Sequence, residues 1–220
     1  EGRRLANKLW NASRFVLAAG GGDVEARPRE PIERWILARL EQARAEVEGH
    51  FERFDFAAAT DVLYHLTFDD FCDWYAEAIK PRLYDHDVDA IATALAALER
   101  LLILLHPVMP HVTEEIWSHL PNRKSRLVVA HWPDADSRFA ADLHALDRVQ
   151  EAAVVFRRSG VAVELGSDDE RRIFAAVVRP ERQRASGDAS GEIERLRKEI
   201  ARSEAMLAND RFVHNAPAQV

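Results

Sequence analysis

The run from about Asp87 to Leu105 constrains the fold more than any other part of the chain. Ile91, Leu95, Leu98, Leu101, Leu102 and Leu105 recur at helical spacing and cover most of a helix circumference. A helix that is apolar nearly all round must be enclosed by other helices, so this segment predicts the centre of a bundle. His106-Pro107-Val108-Met109-Pro110 breaks it. Thr113 is then expected to cap a short helix whose first turn carries Glu114 and Glu115, where carboxylates suit the positive end of the helix dipole.

The flanking segments supply the enclosure. A first helix presents Leu5, Leu9, Ala12 and Val16 on one face and Arg4, Lys8, Asn11 and Phe15 on a second stripe, and should stop at Gly20-Gly21-Gly22. Trp10 reads as a core residue. A second helix starts near Pro31 and carries Ile36, Leu40, Ala43 and Val47 inward. A third is expected from about Phe54 to Lys80, ended by Pro81. Phe68, Phe71, Cys72, Tyr75 and Ile79 form its core face; Asp70, Asp73, Glu77 and Lys80 form a charged one, with Trp74 at the border.

Beyond the bundle, Arg126 to Trp132 reads as extended and residues 138–157 as helix. Val161 to Leu165 alternates like a short strand, and Ile173 to Val178 reads as a second. Residues 181–191 are small and polar, which marks a linker. Ile193, Leu196, Ile200, Ser203 and Leu207 then step as a heptad seam on a helix of roughly 28 Å. The expected organisation is mainly α: a helical bundle over 1–135, a small mixed α/β connector over 136–180, the linker 181–191, and the first half of a coiled-coil arm over 192–220. The uncapped start without Met predicts a cut from a longer polypeptide, whose downstream residues would supply the second strand of the coil. An unpartnered seam is expected to make this chain self-associate, while the longer protein is expected to be a monomer.

Composition sets limits on function. Of 220 residues 47% are hydrophobic, enough for a substantial core, and the formal net charge of -7 argues against a protein that coats nucleic acid indiscriminately. The N-terminal helix departs from that balance, with Arg3, Arg4, Lys8 and Arg14 against Glu1 alone. One cysteine in an apolar pattern and no run near the roughly 18 apolar residues of a membrane span point to a cytoplasmic protein without membrane contact. No catalytic constellation emerges. Gly20-Gly21-Gly22 follows a helix rather than preceding one, the wrong order for cradling phosphate. His111, Glu115 and His119 have metal-like spacing, but no further ligand lies near in sequence and they read as structural.

The stretches NKLWNASRFVL, FDDFCDWYAEAIKPRLY, HPVMPHVTEEIWSHLP and VVAHWP resemble the anticodon-binding region of the valine-tRNA ligases, class I aminoacyl-tRNA synthetases. EIERLRKEIARSEAMLANDRFVHNAPAQV is similar to the first helix and tip of that family's C-terminal coiled coil. The patterns HPxMPxxTEEIW and DWYxExxK are shared with the isoleucine and leucine relatives; the arm, ending FVxxAPAxV, favours valine. The residues 151–191 are hard to place against that pattern.

The resemblance implies a class I anticodon-binding helix bundle. It implies that the ligase's nucleotide-binding and editing domains lie upstream, since neither the HIGH nor the KMSKS signature occurs here. This chain would then be inactive alone and hold no cofactor, the longer enzyme using ATP and Mg. The implied partner is tRNA(Val). Lys8, Arg14 and Phe15 match the family's anticodon-contacting positions, with Asn11 a turn from Phe15, and Asp73, Glu77 and Lys80 join them as candidates on the charged face. On the arm, Arg195, Arg197, Lys198, Arg202 and Arg211 are candidate phosphate contacts. A sister ligase for isoleucine or leucine, and a non-catalytic scaffold with a dimerising coil, are the alternatives.

Overall fold

The computed structural model describes residues 2–20, 25–121 and 125–178, nearly all of them in the compact unit Glu1–Val177. The described elements are α1 (Gly2–Ala18), α2 (Pro31–Glu52), α3 (Phe56–His65), a π-helical segment (Leu66–Tyr75), α4 (Ala76–Tyr84), α5 (Val88–Leu105), α6 (Pro110–Ser118), 3-10 turns at Leu127–Val129 and Ser137–Asp142, α7 (Asp147–Ser159) and α8 (168–178). No strand occurs among the described residues, so the fold is mainly α as expected.

α5 is the centre that its sequence predicts. Asp87 caps it by accepting from the Asp89 and Ala90 amides, and Leu95, Leu98, Leu101, Leu102 and Leu105 are fully buried. Each such side chain contributes about 1.5–3 kcal/mol relative to exposure. α1, α2, α4 and α6 pack around it. α2 begins with Pro31 in its first turn, and Glu33 reaches back to accept from the Arg29 and Glu30 amides at 2.7 and 2.9 Å.

The long third helix is not one helix. After α3 the chain widens into the π segment, where the Ala76 amide donates to Phe71 O, five residues back. Pro81 does not end it: α4 runs through the proline to Tyr84. Ile79 and Leu83, one turn apart on either side of the ring, are both buried, and that packing offsets the lost amide donor. Asp70 and Glu77 are buried as well, at 8% and 7% exposure, so they do not belong to a solvated outer face.

Thr113 does not cap α6. Met109 occupies that position with Pro110 in the first turn, and Thr113 is buried, donating its hydroxyl to Met109 O at 2.8 Å while His106 Nδ1 lies 2.8 Å from the Thr113 Oγ1 itself. The rest of the TEEIW stretch secures the chain beyond it. Glu114 accepts from the Leu127 amide at 3.1 Å, and Trp117 Nε1 donates to Ser125 O at 3.0 Å.

The expected mixed element contains no strand. Residues 161–165 are irregular and lack a ladder, and Ile173 to Val178 lies inside α8. The reason is a capping box. Ser167 Oγ accepts from the Glu170 amide at 3.1 Å while the Glu170 carboxylate accepts from the Ser167 amide at 3.0 Å. Ile173 and Val177, four apart, then form a buried helical face. Arg126 to Trp132, expected to be extended, holds a 3-10 turn. The turn at Ser137–Asp142 packs on α2, with Arg34 Nε donating to Asp142 at 3.0 Å. The linker and arm lie outside the described residues.

Candidate nucleic-acid interface

α1 is anchored by Leu5, Leu9, Ser13 and Val16, which turn inward; Ser13 rather than Ala12 completes the face. That choice decides what the other sides of the helix display. At about 100° per residue, Lys8 and Phe15 share a flank toward the π segment and α4, whereas Trp10, Arg14 and Leu17 share the opposite flank, toward α6, and Asn11 points outward between the two.

The first flank gathers most of the expected residues. Lys8 Nζ lies 2.5 Å from Asp73 Oδ2, donates to Phe68 O at 3.0 Å and sits 3.1 Å from the centroid of the Phe68 ring. Arg4 reaches the same ring at 5.1 Å, and Tyr64 lies parallel to it at 5.4 Å. Two turns along α1, Phe15 meets Tyr84 edge-on at 5.3 Å, and Lys80 Nζ stands 5.6 Å from the Phe15 centroid while pairing with Glu77 Oε2 at 2.5 Å. Asn11 is exposed beside this group. Cations over ring faces contribute about 0.5–2 kcal/mol, more where water is excluded.

Electrostatics around the flank follow from burial. Asp70, on the π segment, is pushed up from the ordinary carboxylate range by desolvation, with Arg39 at 2.8 Å partly countering. Burial pushes the Cys72 thiol up to about 12, which makes it an inert core group. The lysine pairs differ in kind, being partly solvated: Lys8 and Asp73 are 22% and 33% exposed, and Lys80 33%. A pair as exposed as Lys8–Asp73 contributes less than about 1 kcal/mol, so a stronger anion can displace its carboxylate; in the Lys80 pair the lysine is the solvated member and Glu77 the buried one.

Arg14 does not join this group. It is exposed on the other flank, beside a groove formed with Trp10, Leu17, Ile116 and His119. Trp10 is half-buried rather than core. Tyr64, Phe68, Tyr84 and Trp10 thus stand beside the candidate residues without being among them, and Arg4, on the Lys8 stripe, joins them at the Phe68 ring. Part of their signal lies in the spacing, since Tyr64 and Phe68 stand one helical turn apart and Tyr84 closes the KPRLY stretch. His111 is exposed and His119 pairs with Glu115 at 3.4 Å. Among the described residues no group of His, Cys, Asp or Glu is arranged to hold a metal ion. Arg195, Arg197, Lys198, Arg202 and Arg211 lie outside the described residues.

A family model for the anticodon-binding domain of tRNA ligases matches residues 33–173, a span that holds Asp73, Glu77 and Lys80 and begins after α1. The chain is 43% identical over 152 residues to a valine-tRNA ligase of Mycobacterium leprae, covering 68% of this chain and 17% of that protein. Against the valine-tRNA ligase of Deinococcus radiodurans it is 34% identical over 212 residues, 80% of this chain and 23% of the relative. With that of Thermotoga maritima it shares 30% over 269 aligned positions, 99% of this chain and 31% of the relative, α1 included. The chain therefore spans between 17% and 31% of the length of these relatives. It belongs to the family of anticodon-binding domains of tRNA ligases, and within that family it is similar to valine-tRNA ligases.

Proposed function

We propose that this chain is the part of a valine-tRNA ligase that binds tRNA(Val) and reads its anticodon loop. The observation that carries the reading is the first flank of α1: an aromatic ring, Phe15, flanked by Lys80, and two turns away Lys8 set over Phe68, in a member of the anticodon-binding family. Anticodon bases are single-stranded and splayed, so a protein reads them by stacking and by hydrogen bonds to their edges. Phe15 stacks a base. Lys8 and Lys80 exchange their carboxylates for phosphate or base-edge acceptors, and Asp73 and Glu77 hold the lysines in place until then. Asn11 offers an amide to a base edge, and Arg14 a guanidinium to a phosphate.

In the longer ligase, valine would be activated with ATP and Mg and transferred to the tRNA terminus; this chain contributes grip and identity and is inactive alone. We place the bundle at 1–135, the connector at 136–180, the linker at 181–191 and the arm at 192–220. On the arm, Arg195, Arg197, Lys198, Arg202 and Arg211 are the candidates for phosphate contacts. No helix among the described residues is long and apolar enough to cross a membrane; together with the single buried thiol this supports a cytoplasmic setting. The complete ligase is a monomer in this reading.

The test is filter binding with purified tRNAs for valine, isoleucine and leucine. The chain should prefer valine tRNA, and Phe15→Ala combined with Lys8→Ala should weaken that binding while circular dichroism stays unchanged. Unaltered affinity in the double variant overturns the anticodon role. Preference for isoleucine or leucine tRNA reassigns the chain to a sister ligase.

A further inference from the structure

We propose that the groove between α1 and α6 is a second base-receiving subsite. It takes one further unstacked purine or pyrimidine from the same single-stranded loop that Phe15 engages, and it rests on the RNA-binding reading above. The groove encloses about 710 Å³, within the range of small-ligand sites. Its walls are the half-buried Trp10 indole and Leu17 on α1, and the buried Ile116 on α6 with the exposed His119 just past that helix's end. These are apolar and aromatic surfaces of the kind that receive a planar heterocycle.

Two polar features fit that ligand. Ser13 lines the groove from the core side at 1% exposure, and its Oγ finds no hydrogen-bond partner among the described residues. A buried hydroxyl left alone is unusual in a native protein, and a ring nitrogen or carbonyl brought into the groove would satisfy it. At the rim stand Arg14, exposed and without a carboxylate partner among the described residues, and Asn11, also exposed. The guanidinium suits the phosphate of a bound nucleotide and the amide suits its base edge. Glu115 lies on the same helix but is engaged by His119.

The choice of RNA over a peptide comes from continuity. Phe15 lines this groove and also belongs to the first flank, where Lys80 approaches its ring. A strand held at Phe15 therefore delivers a neighbouring nucleotide to Trp10, and Arg14 and Lys80 present cations to its backbone on either side of α1. The geometry also explains why Arg14 sits apart from Lys8, which a single contact stripe does not.

The test uses the whole 220-residue chain and anticodon stem-loop RNAs of valine tRNA sequence, intact or with one abasic loop nucleotide, followed by fluorescence anisotropy. Trp10→Ala should weaken the intact loop about 5- to 150-fold, the range of one lost stack. One particular abasic loop should bind the wild type and Trp10→Ala equally, and that nucleotide should differ from the one coupled in the same way to Phe15→Ala. If Phe15→Ala weakens binding but Trp10→Ala leaves it unchanged, or if the Trp10 loss is the same on every abasic loop, the subsite is overturned and the anticodon reading stands. If the wild type binds no loop, both fall. Should Trp10→Ala not fold, Arg14→Gln and His119→Ala alter only exposed groups. They should weaken the intact loop several-fold and lose that effect on the same abasic RNA, and unchanged affinity in both overturns the subsite.

Discussion

Lys80 and Arg82 stand two residues apart on α4, and each meets a buried glutamate, yet the two cations are arranged for different ends. Arg82 Nη1 lies 2.8 Å from Glu33, which is wholly buried, and its other nitrogens reach Asp87 at 2.9 Å. Glu30, 3.7 Å from the same guanidinium, is also reached by Arg172 at 3.0 Å. The fork thus ties the start of α2, the end of α4, the cap of α5 and α8 into one network, with Arg82 16% exposed. Lys80 meets Glu77 on its own helix, is twice as exposed, and lies over an aromatic ring rather than between elements. A planar guanidinium with every arm engaged is a fastener; an ammonium held by one carboxylate beside a ring can be handed to a ligand.

This contrast is best broken at its strong end. Arg82→Ala leaves Glu33 charged and buried without its partner, and should cost about 3–5 kcal/mol in a urea denaturation experiment. Lys80→Ala should cost clearly less in the same assay, because the lysine is a third exposed and ties no second element to its own. Equal losses would mean that the two pairs do the same work.

At the ligand end the order reverses. Phe15→Ala should weaken anticodon-loop binding by about 1–3 kcal/mol, the value of one base stack, and lower stability only by the modest loss of its edge contact with Tyr84. Lys8→Ala and Lys80→Ala should each reduce the slope of log affinity against log salt by about 0.7, the release expected for one phosphate on single-stranded RNA. Arg82→Ala, measured on folded protein, should leave that slope alone. A drop with Arg82 and none with the lysines would invert the assignment.

The smallest effect concerns Asp70. Burial raises its folded-state pKa above the unfolded value near 3.8, so the native state holds this proton more tightly than the unfolded chain does. The stability from this group is fully present below that ordinary value and is lost as pH rises through the raised one. Arg39 limits the loss. Asp70→Asn should remove that part of the decline, seen as a flatter stability profile above pH 3.8 in urea titrations; an unchanged profile would contradict it.

The parts of the fold that are legible in the sequence are those set by local physics. α5, the start of α2 at Pro31 and the inward Leu5, Leu9 and Val16 are governed by apolar periodicity and local caps, and all appear as expected. The third helix departs from expectation because packing overrides a local rule: Pro81 is a helix breaker by itself, but Ile79 and Leu83 on either side of it are buried. The π register from Leu66 to Tyr75 has no simple sequence signal, and it is what buries Asp70. α8 has a local signal in Ser167-Asp168-Asp169-Glu170, whose capping box outweighs the β-branched residues that suggest a strand.

The site divides along the same line. Lys8, Phe15, Asp73, Glu77 and Lys80 come together around one flank, as their spacing and the family resemblance suggest. Trp10 departs from its expected core place through a small angular difference, and Arg14 lies with it on the flank opposite Lys8. With Ser13 rather than Ala12 as the fourth inward residue, the helix is turned by about 25°, so that Trp10 borders the groove beside Arg14.

The central claim, that α1 carries the anticodon loop on its aromatic and basic flank, is tested most directly by photo-crosslinking. Valine tRNA with 4-thiouridine placed only in the anticodon loop would be irradiated in complex with the whole chain, and the linked peptides mapped by mass spectrometry. The account predicts crosslinks within residues 2–18 and 76–84. Crosslinks confined to α7 or α8, with α1 unlabelled, would contradict it.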